Sequence, residues 1–148
     1  MEPDLESRLV ELARATAANA HAPYSRFRVG AALLCPDGRR FSGCNVENAS
    51  YGLTVCAERN AVQQAVAAGA ARDEAGRPRR QAFTALVLWA SQDRPTPPCG
   101  ACRQVLLEFC ERPEDLEIVM VGRRGALERA TLAELAPRPF RARDFTRG

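Results

Sequence analysis

Between Leu5 and Ala20 the apolar positions Leu5, Leu9, Leu12, Ala13 and Thr16 recur every three or four residues, with Glu6, Arg8, Glu11 and Arg14 between them. That period predicts an amphipathic surface helix. The chain then meets His21-Ala22-Pro23-Tyr24-Ser25, where proline and small polar residues favour a turn. Phe27 to Leu34 reads as a strand, Pro36-Asp37-Gly38 as a hairpin turn, and Arg40 to Cys44 as the returning strand. Asn45 to Gly52 is polar and without period. The helical period returns from Cys56 to Ala68, with Ala57, Ala61, Val62, Ala65 and Val66 as the expected inner face.

The stretch from Ala70 to Arg80 carries Gly76, Pro78 and many charges, and predicts an exposed, mobile loop. Ala82 to Ala90 is continuously apolar, as a central strand covered on both faces would be. A proline-rich loop, Ser91 to Pro98, leads to a helix over Cys99 to Glu111. Leu116 to Val121 is a further strand, Arg123-Arg124-Gly125 a turn, and Ala126 to Ala130 a short edge strand. Thr131 can cap a final helix, Leu132 to Leu135, stopped by Pro137. Strands alternating with helices give an α/β layered domain. With 148 residues the chain fits one domain over 1–148, and no internal repeat stands out.

Composition narrows the partners. All 21 basic residues are arginine, and 18 acids interspersed with them leave a formal charge of only +3. That balance argues against nucleic acid or an anionic membrane as the main partner. No apolar run is long enough to span a bilayer, and the first residues, Met1-Glu2-Pro3-Asp4, are acidic, unlike a basic signal-peptide start. A cytoplasmic protein is expected. Six cysteines in such a chain point away from a disulfide scaffold and toward metal or redox chemistry.

Three of those cysteines lie in two short motifs, Cys56-Ala57-Glu58-Arg59 and Pro98-Cys99-Gly100-Ala101-Cys102, each where a helical pattern begins. Helix N-termini carry partial positive charge and unpaired N–H groups, which favour thiolates. Three sulfurs around one zinc leave a coordination position open, as catalytic zinc requires. Glu58, two residues from Cys56, is the natural proton carrier for a water held there. Arg59 can reach back along the helix toward the sulfurs and offset their excess negative charge; the alternative is an ordinary solvent-facing arginine.

Each motif alone has other readings. Cys99 and Cys102 could form a redox pair of a thiol–disulfide oxidoreductase, or half of a structural zinc site with Cys44 as a spare fourth ligand. Cys35, Cys44 and Cys110 sit in or beside apolar segments and are expected as buried thiols. His21, the single histidine, reads as a solvated loop residue. Asn45 and Glu47, two apart in extended chain, would point the same way, either toward a substrate or within an ordinary capping loop. A ligand, one residue, glutamate, then Pro-Cys-x-x-Cys is the pattern of the zinc nucleobase deaminases.

Together with Asn45-Val46-Glu47-Asn48-Ala49-Ser50-Tyr51 and the extension Cys102-Arg103-Gln104, these motifs resemble the small cytidine deaminases in their three-cysteine form. The resemblance runs from Pro23 to Phe140. It implies a three-layer α-β-α fold with a five-stranded mixed sheet, a Zn2+ cofactor on Cys56, Cys99 and Cys102, and Glu58 as the proton shuttle. It further implies that Asn45 and Glu47 hold the ribose 3′-hydroxyl, that Phe27 packs on the base, and that main-chain groups near Ala57 and Pro97-Pro98 contact it. Phe140 would reach the site of a neighbouring subunit in a homotetramer whose active sites lie at subunit interfaces. The expected substrate is a small nucleoside, cytidine or deoxycytidine; a modified cytosine nucleoside of the blasticidin type is the alternative. Pro97 departs from the Ser or Thr of many relatives, and the Ala70 to Arg80 loop is longer than the family's pattern.

Overall fold

Alternation along the strands decides which helix covers which face of the sheet. In the computed structural model, which describes residues 1–145, the chain forms a helix α1 (Pro3–Ala17), a hairpin of β1 (Val29–Leu34) and β2 (Arg40–Cys44), and a helix α2 (Ala57–Ala67). There follow β3 (Ala85–Ala90), α3 (Gly100–Glu108), β4 (Glu117–Val121), β5 (Leu127–Thr131) and a short α4 (Leu132–Leu135). The strands make one mixed sheet in the order β2-β1-β3-β4-β5, parallel only between β3 and β4.

Cross-strand partners share a face. Ala32, Val87 and Val119 lie in one row and pack with Leu9 and Ala13 of α1. Ala31, Leu88 and Met120 form the neighbouring row on the opposite face, where they pack with Ala57, Ala61 and Ala65 of α2 and Leu106 and Leu107 of α3. The result is the three-layer α-β-α arrangement, with β3 central and buried along nearly its whole length. No helix among the described residues is long and apolar enough to cross a membrane.

Two glycines let the helices approach. A Cβ at Gly30 would lie 1.8 Å from the Ala13 carbonyl oxygen, and one at Gly43 would lie 2.4 Å from that of Ala57. Both distances are impossible for a side chain, so these strands must be bare where α1 and α2 cross them. Gly43 thereby seats the first turn of α2 directly on β2.

Several boundaries differ from the pattern. Helix α1 ends at Ala17 rather than Ala20, β1 starts at Val29 rather than Phe27, β3 at Ala85 rather than Ala82, and β5 covers Leu127–Thr131. Val66 is 43% exposed, and Glu58 takes its place on the buried side of α2. The segment from 70 to 80 is a largely exposed loop, as expected, and it is tied to itself by hydrogen bonds. Asp73 accepts hydrogen bonds from the Ala75 and Arg77 amides and the Arg77 side chain, Arg79 Nε donates to the Arg72 carbonyl at 2.7 Å, and Ala70 is fully buried. Charge here serves to tie the turn to itself. Thr131 caps α4 in a reciprocal capping box with Glu134.

The antiparallel pairing puts the start of β1 beside the ends of β2 and β3: Gly30 faces Cys44, and Val29 faces Ala90. Phe27, Asn45 and the Ser91 to Pro98 loop therefore emerge at one end of the sheet. Open α/β sheets bind ligands at such an end, beyond the carboxyl termini of their parallel strands.

Candidate metal centre and adjoining cavity

Cys56 and Cys99 are the residues that precede the first turns of α2 and α3, and both have extended backbone angles. Neither side chain caps its own helix; the sulfurs turn toward each other instead. Cys56 Sγ lies 3.9 Å from Cys99 Sγ, and Cys99 Sγ lies 3.5 Å from Cys102 Sγ. The three sulfurs all fall within 4.8 Å of one another. Tetrahedral zinc with Zn–S bonds of about 2.3 Å places its sulfurs about 3.8 Å apart, so the donor set and its spacing fit zinc. Among the described residues this is the one cluster of three or more His, Cys, Asp or Glu groups so arranged.

The charge on the sulfurs is already prepared. Hydrogen bonding from Cys102 and donation from Arg59 pull the Cys56 thiol down to about 5, against the cost of burial. Cys102 is shifted upward, because its hydrogen bond to Cys56 and its burial both favour its protonated form. A divalent metal favours the thiolate form of its cysteine ligands. The Arg59 guanidinium donates to Cys56 Sγ at 3.7 Å and to the Thr54 carbonyl at 3.2 Å, and its buried Nε has no hydrogen-bond partner. That spare donor sits beside an anionic cluster.

Glu58 is 5% exposed. Burial pushes its carboxyl up to about 7, and the neighbouring Cys56 charge adds to the rise. A carboxyl so shifted can both accept and give a proton near neutrality. Two thiols away from the cluster are held in the protonated form: burial raises Cys35 to about 11 and Cys110 to about 12. Cys44 is only half-buried rather than enclosed, and it lies outside the sulfur cluster.

Cys56, Glu58 and Cys99 line a cavity of about 260 Å³. Phe27, Val29, Leu88, Ala57 and Pro97 add apolar surface to it, and Ser25, Asn45, Glu47, Thr54 and Thr96 add polar groups. Asn45, 8% exposed, accepts from the Val29 amide at 2.9 Å and donates to the Phe27 carbonyl at 2.8 Å. Glu47 accepts from the Tyr24 and Ser25 amides at 3.0 and 3.1 Å and from the Ser25 hydroxyl. These contacts hold the Glu47 carboxyl below the usual range, chiefly through the Ser25 hydroxyl. Apolar lining with a few polar and ionisable groups describes a site for a partly polar small molecule.

The fold thus brings Phe27, Asn45, Glu47, Ala57 and Glu58 and two of the three cysteines to one cavity, with Cys102 behind it. Phe140 is elsewhere: it is 60% exposed, stacks on Phe145 at 5.7 Å, and does not line this cavity. His21 is also outside it and joins the region through its backbone, donating to the Asn45 carbonyl and accepting from the Glu47 amide. Ser25, Thr54 and Thr96 also line the cavity, and no sequence motif marks them as site residues. Each lies in a loop with no period, and only the Pro23-Tyr24-Ser25 turn offered a signal.

Comparison with known proteins gives one consistent result. Residues 3–116 match the family model described as the cytidine and deoxycytidylate deaminase zinc-binding region. A cytidine deaminase of Halalkalibacterium halodurans is 45% identical over 126 residues, covering 85% of this chain and 86% of that protein. One from Sporosarcina psychrophila is 39% identical over 143 residues, covering 97% and 96%. The crystal structure of cytidine deaminase from Burkholderia pseudomallei superposes with a TM-score of 0.80 at 43% identity, covering 95% of this chain and all of that one.

Proposed function

This chain belongs to the cytidine and deoxycytidylate deaminase family, and we propose that it hydrolyses the 4-amino group of cytidine, giving uridine and ammonia. The observation that carries the reading is the buried Glu58 carboxyl, raised to about 7, beside three convergent sulfurs and on a cavity that also carries Asn45 and Glu47.

Cys56, Cys99 and Cys102 hold the zinc. When bound, zinc supplies the Lewis acidity that makes a water molecule nucleophilic at neutral pH. Glu58 accepts a proton from that water and delivers it to N3 of the pyrimidine as the oxygen bonds to C4. The same carboxyl then carries the second proton to the amino nitrogen, so the C4–N bond breaks and neutral ammonia leaves. Arg59 offsets the surplus negative charge of three thiolates on a divalent cation. Phe27 packs on the base, with main-chain groups near Ala57 and Pro97 along its edge. Asn45 and Glu47 hold the ribose 3′-hydroxyl, which leaves the 2′-position unread and admits deoxycytidine as a second substrate.

The exposed Phe140 supports a homotetramer in which it completes a neighbour's site. The near-balanced charge supports a small nucleoside rather than nucleic acid as partner; a nucleoside deaminase of this kind belongs to pyrimidine salvage in the cytoplasm. The deciding experiment follows ammonia release and loss of cytosine absorbance with cytidine, deoxycytidine and free cytosine, with zinc quantified in the same sample. Turnover of both nucleosides but not the base, at about one zinc per chain, is expected. Full zinc with no turnover of either nucleoside overturns cytidine as substrate and directs the search to modified cytosine nucleosides.

A further inference from the structure

At the sugar end of the cavity one residue holds two others. The Ser25 amide donates to Glu47 Oε1, the Ser25 hydroxyl donates to Glu47 Oε2, and the same Ser25 Oγ accepts the Phe27 amide at 3.0 Å. Arg26 between them takes a left-handed backbone, φ 55°, anchored by its amide on the Ala22 carbonyl at 3.0 Å. A non-glycine residue in that region is costly, and here the turn brings Ser25 and Phe27 to the same cavity.

Counting hydrogen-bond capacity gives this arrangement a function. An ionised carboxylate offers about four lone-pair sites. Tyr24 N–H and Ser25 N–H meet Oε1, and the Ser25 hydroxyl takes one site on Oε2, so one site on Oε2 is left. Which way that site faces depends on the side-chain rotamer of Glu47, and two of its three donors belong to Ser25.

We propose that Ser25 is a positioning residue of the sugar end, whose hydroxyl and amide fix Glu47 so that the remaining lone pair of Oε2 meets a hydroxyl of the bound nucleoside. The inference rests on the assignment of the ribose to this end and adds the residue that orients its acceptor. Ser25 acts through Glu47, so its loss weakens binding of a substrate that carries the hydroxyl and leaves the chemistry at the zinc end alone.

The test is a cycle with one change on the protein and one on the substrate: Ser25→Ala and unsubstituted protein, each with cytidine and with 3′-deoxycytidine. Loss of a hydrogen bond to a charged group predicts a cytidine KM raised about tenfold, with kcat within about twofold and zinc content unchanged. On 3′-deoxycytidine the two proteins should differ by less than about twofold, since there is no hydroxyl left to meet. Ser25→Thr, which keeps the hydroxyl, should recover most of the cytidine KM. An equal loss on both substrates, or a loss concentrated in kcat, overturns the proposal. Should Ser25→Ala not fold, Ser25→Cys, close in shape and a weak donor, serves in the same cycle with the same two outcomes. No turnover of either nucleoside by unsubstituted, zinc-loaded protein would overturn the reaction itself and this inference with it.

Discussion

The two ends of the cavity are built in opposite ways. The zinc end comes from two helix starts, and its chemistry lies in residues adjacent in sequence: Cys56 with Glu58, and Cys99 with Cys102. The end proposed to take the sugar comes from Ser25, Asn45 and Glu47, which lie on two loops and are held by hydrogen bonds that cross between these loops. A helix fixes side-chain direction by its own backbone geometry, so a short motif suffices to aim ligands. A loop has no such internal ruler and must be clamped by its neighbours. Loss of one group should therefore affect metal or turnover at the first end, and binding or local stability at the second.

The largest effect expected is at the sulfurs. Cys102→Ala should lower zinc from about one per chain to near zero and abolish deamination, read by metal analysis and ammonia release on the same sample. Stoichiometric zinc in that variant would remove Cys102 from the ligand set. Glu58→Gln should keep the zinc and lose roughly 10²–10⁴-fold or more in kcat, the range of general acid–base catalysis. Undiminished turnover at full zinc would break the assignment of Glu58 as proton carrier.

At the other end, Asn45→Ala removes a buried side chain that holds the Val29 amide and the Phe27 carbonyl. It should cost about 1–3 kcal/mol of stability, read from the denaturant midpoint, and raise the cytidine KM more than it lowers kcat. A pure kcat defect would contradict the division between the two ends. Cys44→Ala should do least, leaving zinc content and kcat unchanged. Release of zinc from it would restore a closed, structural zinc site.

Much of the fold was legible because period follows burial. The apolar run ending at Trp89 is the central strand, and Thr131 starts the last helix with Glu134 as its reciprocal partner. Misplaced boundaries have a common cause. Ala82 and Phe83 are fully buried yet lie outside β3, and a continuous apolar run cannot say where hydrogen bonding between strands begins. Val66 shows the converse: its apolar side chain fitted the helical face, but it is exposed while the charged Glu58 is enclosed.

The sequence by itself determined the zinc ligands' spacing, the carboxylate beside them and the layered order of strands and helices, because each follows from local periodicity and from chemistry carried on neighbouring residues. Only the tertiary structure decided that the start of β1 and the ends of β2 and β3 meet at one end of the sheet, that Glu58 is buried deeply enough to hold a proton near neutrality, and that Ser25 clamps Glu47. These depend on antiparallel pairing, on the bare crossing at Gly43, and on hydrogen bonds between loops more than twenty residues apart, none of which leaves a period in the chain.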